Sequence, residues 1–140
     1  MGYFYNKIEI DSSIDTVWDT MSNFHDMSWA PNVITDVTNV GDKKGNELGS
    51  KRVLNDAFHE TLTALDPSAH TFSYSIDNGP GPLSNPSLKN YIGTVKLTPA
   101  ERGTLVEWSS SYDSENESEI EGFCNPIYLA LLADLKKTLS

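Results

Sequence analysis

The sequence predicts an α+β fold in which a curved antiparallel sheet of seven strands wraps one long C-terminal helix. Three observations support this architecture. Segments rich in β-branched and aromatic residues recur along the chain, separated by turn residues. Two short segments with helical features follow the first strand, and residues 120–139 carry an apolar stripe at helical spacing. The length of 140 residues, with 38% hydrophobic and 21% charged residues, predicts a single domain over residues 1–140.

The N-terminal part of the chain predicts a strand followed by two short helices. Polar and apolar side chains alternate over residues 3–10, which is typical of a half-buried strand. The hydroxyls of Ser12 and Ser13 precede apolar residues at helical spacing, so we expect a helix over residues 14–21. A second helical turn is expected at residues 25–29, before Pro31.

Six further strands are expected to form a meander. Their β-branched stretches are bounded by turn compositions such as Asn55-Asp56 and Asp66-Pro67-Ser68. Residues 78–88 are rich in proline and glycine, which interrupt a sheet, so we expect a long ordered loop. The sequence does not decide whether this loop acts as a lid. The six strands are predicted at residues 33–40, 50–54, 58–65, 71–76, 90–98 and 104–112.

The closing segment predicts a long amphipathic helix with two alternative starting points. Acidic residues precede the segment, and Lys136 and Lys137 lie near its end, which is an order that suits the helix dipole. Pro126 either occupies the first turn of this helix or lies inside a longer helix that begins near Ser118. The apolar stripe consists of Ile120, Phe123, Cys124, Ile127, Tyr128, Leu131, Leu132, Leu135 and Leu139.

Charge and cysteine content argue against several kinds of partner. The net charge of −10 and the pI near 4.5 disfavour binding to nucleic acid or to anionic lipid surfaces. No stretch suits membrane insertion and the N-terminus lacks signal-peptide features, so we expect a cytoplasmic protein. The single Cys124 and three scattered histidines give no metal-binding spacing, so neither a metal nor another cofactor is expected.

The order of predicted elements is a helix-grip arrangement, and several short motifs accompany it. These motifs are Ile14-Asp15-Thr16-Val17-Trp18, Phe24 through Pro31, Gly49-Ser50-Lys51-Arg52, Glu60-Thr61-Leu62, Tyr74-Ser75-Ile76, the loop at Pro82, and Thr104-Leu105-Val106-Glu107-Trp108. In this order they resemble the START-like superfamily of birch-pollen-allergen proteins, most closely its polyketide cyclase/dehydrase and lipid-transport (SRPBCC) branch. The resemblance covers nearly the whole chain. It implies the fold, whereas the family's members range from ligand carriers to aromatase/cyclases and condensing enzymes.

Twisted strands that bend around a helix seldom fill the space they enclose, so we expect an internal cavity between the sheet and the C-terminal helix. Strand parity assigns Tyr74, Tyr91 and Trp108 to the inner face of the sheet, where packing against the helix alone is the alternative interpretation. The resemblance implies a position for Trp29 at the cavity mouth. The residues expected to contact a ligand are Trp29, Arg52, Leu62, Ile76, Trp108 and Tyr128.

Glu60 is the candidate general acid or base, with Tyr74 and Tyr91 as partners in proton transfer. Glu60 shares strand parity with Leu62, and Arg52 lies across the predicted hairpin, so both charged side chains are candidates for inward positions. An inward Arg52 stabilises the carboxylate, whereas an outward Arg52 leaves Glu60 with a raised pKa that suits acid–base chemistry. The hairpin register decides between these arrangements, and an ordinary salt bridge or a solvated face is a further alternative.

Two functions follow from these features. The first is binding of a small hydrophobic molecule, such as a polyketide, a lipid or an aromatic metabolite, which needs no catalytic residue. The second is a cyclase, dehydratase or condensing enzyme in which Glu60 with Tyr74 or Tyr91 moves protons. A regulatory or interaction module that uses the proline-rich loop and the acidic residues 114–119 is a third hypothesis, and homodimerisation also stays open.

Overall fold

The computed structural model describes residues 1–140 and contains seven strands and two α-helices. The strands form one antiparallel sheet, and the long helix packs against its inner face, which confirms the predicted fold class. The strands are β1 (Gly2–Ile10), β2 (Val37–Val40), β3 (Lys51–Leu54), β4 (Phe58–Asp66), β5 (Thr71–Asn78), β6 (Lys89–Pro99) and β7 (Thr104–Asp113). The helices are α1 (Ile14–Met21) and α2 (Glu117–Leu139), and a short 3-10 helix (Gly81–Ser84) lies in the loop between β5 and β6.

The strands follow the order β1-β7-β6-β5-β4-β3-β2, so β1 and β2 form the two edges of the sheet. The ladders between strands differ in length. Nine residue pairs join β1 to β7, whereas four pairs join β2 to β3 and four join β3 to β4. The register places Arg52 opposite Glu60, and Glu60 opposite Ile76, so the three residues form one row across the sheet.

The segment after α1 departs from the prediction, because it forms two separate turns, at residues 24–25 and 28–29, and no second helix. The Asp26 amide donates to the Asn23 carbonyl at 3.0 Å, and the Asp26 carboxylate accepts from the Ser28 amide at 2.9 Å. Side-chain hydrogen bonds of this kind compete with helical ones, and Pro31 prevents the turn from continuing as a helix.

Strand β2 begins at Val37, four residues later than predicted, because the Asn55 side chain takes the backbone partners of the preceding segment. Its Oδ1 accepts hydrogen bonds from the amides of Thr35, at 2.8 Å, and Asp36, at 3.3 Å. Its Nδ2 donates to the Val33 carbonyl at 2.9 Å. These backbone groups therefore do not contribute to the ladder with β3.

Helix α2 begins at Glu117 and contains Pro126, so the longer of the two alternative helices is confirmed. A proline inside a helix removes one backbone donor and leaves the carbonyl four residues earlier without its helical partner. That residue is Gly122, and both Gly122 and Pro126 are exposed on the outer side of the helix. The break in hydrogen bonding therefore falls on the solvent side, away from the core.

Side-chain contacts hold α2 against β1, β7 and the loop after α1. The contacts are Asn6–Asn125 at 2.7 Å, Tyr112–Glu117 at 3.0 Å, Asn32–Asp134 at 2.8 Å and Thr138–Trp29 at 2.9 Å. The Asp134 carboxylate accepts from both the backbone amide and the side-chain amide of Asn32. The first two contacts fix the N-terminal half of the helix and the last two fix its C-terminal half.

The inner face of the sheet carries the alternating side chains that strand parity predicts. Together with the buried stripe of α2 they form one hydrophobic cluster that includes Phe24, Met27 and Ile34 from the loop after α1. The buried residues that share strand parity with Tyr74, Tyr91 or Trp108, together with those three, are Tyr74, Tyr91, Val95, Leu97, Val106, Trp108, Ser110 and Tyr112. Ile76, which shares strand parity with Tyr74 on β5, is only half-buried and lies at the margin of this core.

Candidate functional site

A small cavity lies between α2 and the strands β3, β4, β5 and β7. Its volume is about 30 Å³, room for only one or two water molecules. Eleven of its thirteen lining residues are hydrophobic, and Phe58, Ile76 and Ile127 among them are half-buried, so they form its rim. The lining consists of Met27, Ile34, Arg52, Leu54, Phe58, Glu60, Tyr74, Ile76, Trp108, Cys124, Ile127, Tyr128 and Leu131.

Arg52 and Glu60 form a buried ion pair at one wall of this cavity. Because they stand opposite each other on β3 and β4, both side chains leave the sheet on its inner face. Arg52 Nε and Nη2 lie 2.8 and 2.7 Å from Glu60 Oε1, and the two side chains are 5% and 6% exposed. Of the arrangements that the sequence left open, the structure therefore adopts the one in which both residues point inward and pair.

Arg52 Nη1 and the face of the guanidinium also contact neighbouring groups. Its Nη1 donates to the Phe24 carbonyl at 3.0 Å and lies 3.4 Å from the Met27 sulfur. Its Cζ lies 3.8 Å from the centre of the Phe24 ring, in cation–π contact. The turn after α1, which carries Phe24 and Met27, is thereby tied to the sheet at the cavity wall.

Burial raises the pKa of the Glu60 carboxyl, and the Arg52 guanidinium opposes that rise through its charge and its hydrogen bonds. All of the protein's donors to this carboxylate converge on Oε1. Oε2 receives no hydrogen bond from the protein, so the carboxylate keeps one free acceptor at the cavity.

Four buried aromatic side chains and one serine form a continuous hydrogen-bonded chain beside the ion pair. Trp108 Nε1 donates to the Tyr74 hydroxyl at 3.0 Å, and the Tyr74 and Tyr128 hydroxyls lie 2.7 Å apart. The Tyr128 and Tyr91 hydroxyls lie 2.9 Å apart, and Tyr91 donates to Ser110 Oγ at 3.0 Å. Burial raises the pKa of all three phenols, so they act as neutral hydrogen-bonding groups at physiological pH.

Six of the nine residues predicted to form the site line the cavity. Tyr74 and Glu60 do so among the predicted catalytic residues, and Arg52, Ile76, Trp108 and Tyr128 do so among the predicted ligand contacts. Their roles in binding or catalysis stay predictions.

The other three predicted site residues lie outside the lining. The Trp29 ring packs against Trp108, with ring centres 6.5 Å apart, and therefore lies behind the wall that Trp108 forms. Leu62 is one inward position beyond Glu60 and is buried opposite Tyr74. Tyr91 stacks on Tyr112 at 5.6 Å and is connected to the cavity wall through its hydrogen bond to Tyr128.

The sequence reasoning missed seven lining residues, of which five follow a recognisable pattern. Leu54 and Phe58 share strand parity with Arg52 and Glu60, and three others lie on the apolar stripe of α2. Met27 and Ile34 lie in irregular segments, where no periodicity indicates which way a side chain points. The three residues on the α2 stripe are Cys124, Ile127 and Leu131.

Cys124 is a buried thiol in the wall of the cavity. Burial raises its pKa to about 11, so it is protonated and unreactive at neutral pH. No group of three or more His, Cys, Asp or Glu side chains lies close enough to hold a metal ion. None of the helices is both long enough and apolar enough to cross a membrane.

The sheet, the helix that it grips and the cavity between them define a helix-grip protein. The chain matches the family model described as "Polyketide cyclase / dehydrase and lipid transport" over residues 1–140. It therefore belongs to this family of the SRPBCC superfamily, as the resemblance in its sequence indicated. No curated protein matches the chain.

Solved structures agree with this assignment. A protein from Nitrosospira multiformis is 38% identical with a TM-score of 0.93, over 99% of this chain and 96% of that one. The protein XoxI from Bacillus cereus is 23% identical with a TM-score of 0.78, over 99% and 96% of the two chains. The major latex-like protein 151 of Panax ginseng is 17% identical with a TM-score of 0.81, over 99% and 97%. The last two share the fold with this chain.

Proposed function

We propose that the protein binds a small hydrophobic molecule, such as a polyketide, a lipid or an aromatic metabolite, in the cavity between α2 and the sheet. The observation that carries this proposal is the cavity itself, with eleven hydrophobic residues among its thirteen lining residues. Membership in a family described by polyketide cyclisation and lipid transport supports the same chemistry. Affinity then comes mainly from removal of apolar surface from water.

Binding requires the cavity to widen, because about 30 Å³ is far below the several hundred Å³ that ligand pockets occupy. The half-buried rim residues Phe58, Ile76 and Ile127 are the side chains that can move outward into solvent. The hydrogen bonds that fix α2, including that between Tyr128 and Tyr74, involve none of these three side chains, so the rim opens by side-chain movement without breaking them. A ligand therefore enters at this rim.

A tryptophan at the rim is expected to block entry. Ile127→Trp places an indole at the mouth of the cavity from a half-buried position, so we expect the variant to fold and to bind at least about tenfold more weakly. Binding of naphthol or methylnaphthalene is followed by NMR shifts of the Leu54, Ile76 and Leu131 amides. Leu129→Trp, on the same helix at a position that is 51% exposed and outside the cavity, is the matched control.

Two results would overturn the proposal. One is the absence of NMR shifts at the lining residues of the wild-type protein with either probe. The other is equal binding by Ile127→Trp and Leu129→Trp, which would place the probes elsewhere on the molecule. A hydrophobic compound that co-purifies with the protein, detected by native mass spectrometry and released on denaturation, would identify the natural ligand class.

The second candidate function is proton transfer by Glu60 in a cyclase or dehydratase. The observation in its favour is a carboxyl whose pKa is raised by burial and whose Oε2 is free at the cavity. Tyr74 and Tyr128 then orient the substrate as neutral hydrogen-bonding groups. Glu60→Gln is expected to lower the turnover of an identified substrate by at least about 100-fold, and turnover at the wild-type rate would exclude this candidate.

A further inference from the structure

The Arg52–Glu60 pair leaves an asymmetric carboxylate at the cavity. Oε1 is the acceptor for both Nε and Nη2 of Arg52, at 2.8 and 2.7 Å. Oε2 belongs to a side chain that is only 6% exposed, yet it has no donor from the protein. A carboxylate oxygen on a side chain with so little exposure is poorly hydrated, so a group in the cavity that supplies a donor gains free energy there.

The other polar groups of the lining already have partners. Trp108 Nε1 donates to the Tyr74 hydroxyl, and the Tyr74 hydroxyl pairs with that of Tyr128. Arg52 Nη1 donates to the Phe24 carbonyl. Among the side-chain oxygens of the lining, Glu60 Oε2 is therefore the one that lacks a hydrogen bond and is an open acceptor for a ligand.

The charge around this oxygen restricts the ligand further. An anionic ligand meets the Glu60 carboxylate, which already takes the Nε donor and one Nη2 donor of Arg52, while Nη1 donates to Phe24. A cationic ligand meets the Arg52 charge, which already neutralises Glu60 within the pair. Both kinds of ion also lose their hydration in an apolar cavity. A neutral molecule avoids these costs.

We propose that the cavity selects neutral, largely apolar molecules that carry a hydroxyl, enol or N–H donor, and that this donor binds Glu60 Oε2. This inference rests on the proposed binding function and specifies its ligand class. A hydrogen bond to a charged acceptor, made in a largely apolar cavity, discriminates about tenfold or more against a ligand of the same shape without the donor.

Three naphthalene derivatives substituted at the same ring position test this selection at pH 7.5. Naphthol supplies a hydroxyl, methylnaphthalene replaces it with a methyl group of similar size, and naphthoate carries a negative charge. We expect naphthol to bind at least about tenfold more tightly than methylnaphthalene, although methylnaphthalene is the more hydrophobic, and naphthoate to bind most weakly. The dissociation constants come from NMR titration, with the Trp108 indole N–H signal as a reporter of the cavity.

Two variants connect the preference to Glu60. Arg52→Met/Glu60→Met replaces the pair with apolar side chains and is expected to bind methylnaphthalene at least as tightly as naphthol. Glu60→Gln keeps the shape of the side chain but removes the charge, and is expected to reduce the preference for naphthol at least about fivefold. Glu101→Gln changes an exposed carboxylate in the turn before β7 and is expected to leave the preference unchanged.

The outcomes separate this inference from the function on which it rests. If none of the three compounds perturbs the cavity of the wild-type protein, the proposed binding function fails. Should naphthol and methylnaphthalene bind equally, binding stands and the selection by Glu60 is refuted. Tightest binding by naphthoate would also refute it, because Arg52 would then be the group that recognises the ligand.

Discussion

Replacing Arg52 with methionine is expected to lower the free energy of unfolding by about 3–5 kcal/mol at pH 7.5. The Glu60 carboxylate left behind is 6% exposed and loses both of its donors, so water does not restore its solvation. Methionine also gives up the hydrogen bond to the Phe24 carbonyl and the cation–π contact with the Phe24 ring. Urea unfolding followed by circular dichroism measures the loss.

The destabilisation by Arg52→Met depends on pH, and the ionisation of Glu60 sets the direction of this dependence. Burial raises the pKa of Glu60 in the folded state, and removing Arg52 takes away the charge that opposes this rise. Between the unfolded and folded pKa values the folded state holds a proton that the unfolded chain has released, so stability falls as pH rises through that window. We therefore expect the destabilisation by Arg52→Met to be smallest below about pH 4.5 and to grow as pH increases above it.

The double variant Arg52→Met/Glu60→Met provides the control. Replacing both members of a buried pair with apolar side chains of similar volume removes the charge together with its partner, so we expect stability within about 2 kcal/mol of the wild type. The double variant should be more stable than Arg52→Met alone. If the double variant is less stable than Arg52→Met, the two residues do not act as a coupled pair.

Gly93→Ala is expected to destabilise the protein by about 3–4 kcal/mol. A Cβ added at Gly93 would lie 2.5 Å from the hydroxyl oxygen of Tyr74, the residue opposite it on β5. The Tyr74 ring is 1% exposed, so it has no space into which to move. Its displacement would break the hydrogen bonds with Trp108 and Tyr128. Glycine is required here by this close approach.

Gly122→Ala is the matched control for Gly93→Ala. Gly122 lies in α2, and a Cβ added there meets no other atom within 4 Å. Because alanine restricts the unfolded chain and favours the helix, we expect a gain of about 0.5–1 kcal/mol. The interpretation of Gly93 would be wrong if the free energy of unfolding of Gly93→Ala lay within about 1 kcal/mol of the wild-type value under the same conditions.

The sequence predicts the regular part of the fold well because each element has a simple periodicity. Alternating side chains identify β5, β6 and β7, and spacings of three and four identify α2. The segment from residue 22 to residue 36 has neither pattern, and its conformation depends on long-range contacts. Asn55 and Arg52, both distant in sequence, bond to its backbone, and such contacts leave no periodic signal.

The candidate site is predicted only where it lies on regular elements. Strand parity identifies Glu60 and Tyr74 as inward residues, but pairing with Arg52 depends on a register that composition does not specify. Parity also does not distinguish a residue at the cavity from one behind it. Tyr91 and Leu62 face inward as predicted, yet other side chains separate them from the cavity.

The ladders of the sheet differ in length, so its two edges differ in local stability. Nine pairs hold β1 to β7, but only four hold β2 to β3 and four hold β3 to β4. A short ladder opens at a smaller free-energy cost than a long one, so β2 and β3 form the least protected part of the sheet. In amide hydrogen exchange, β2 and β3 should exchange before β7. Because Leu54 on β3 pairs with the rim residue Phe58, loosening of that edge would widen the proposed entrance to the cavity while the rest of the sheet stays folded.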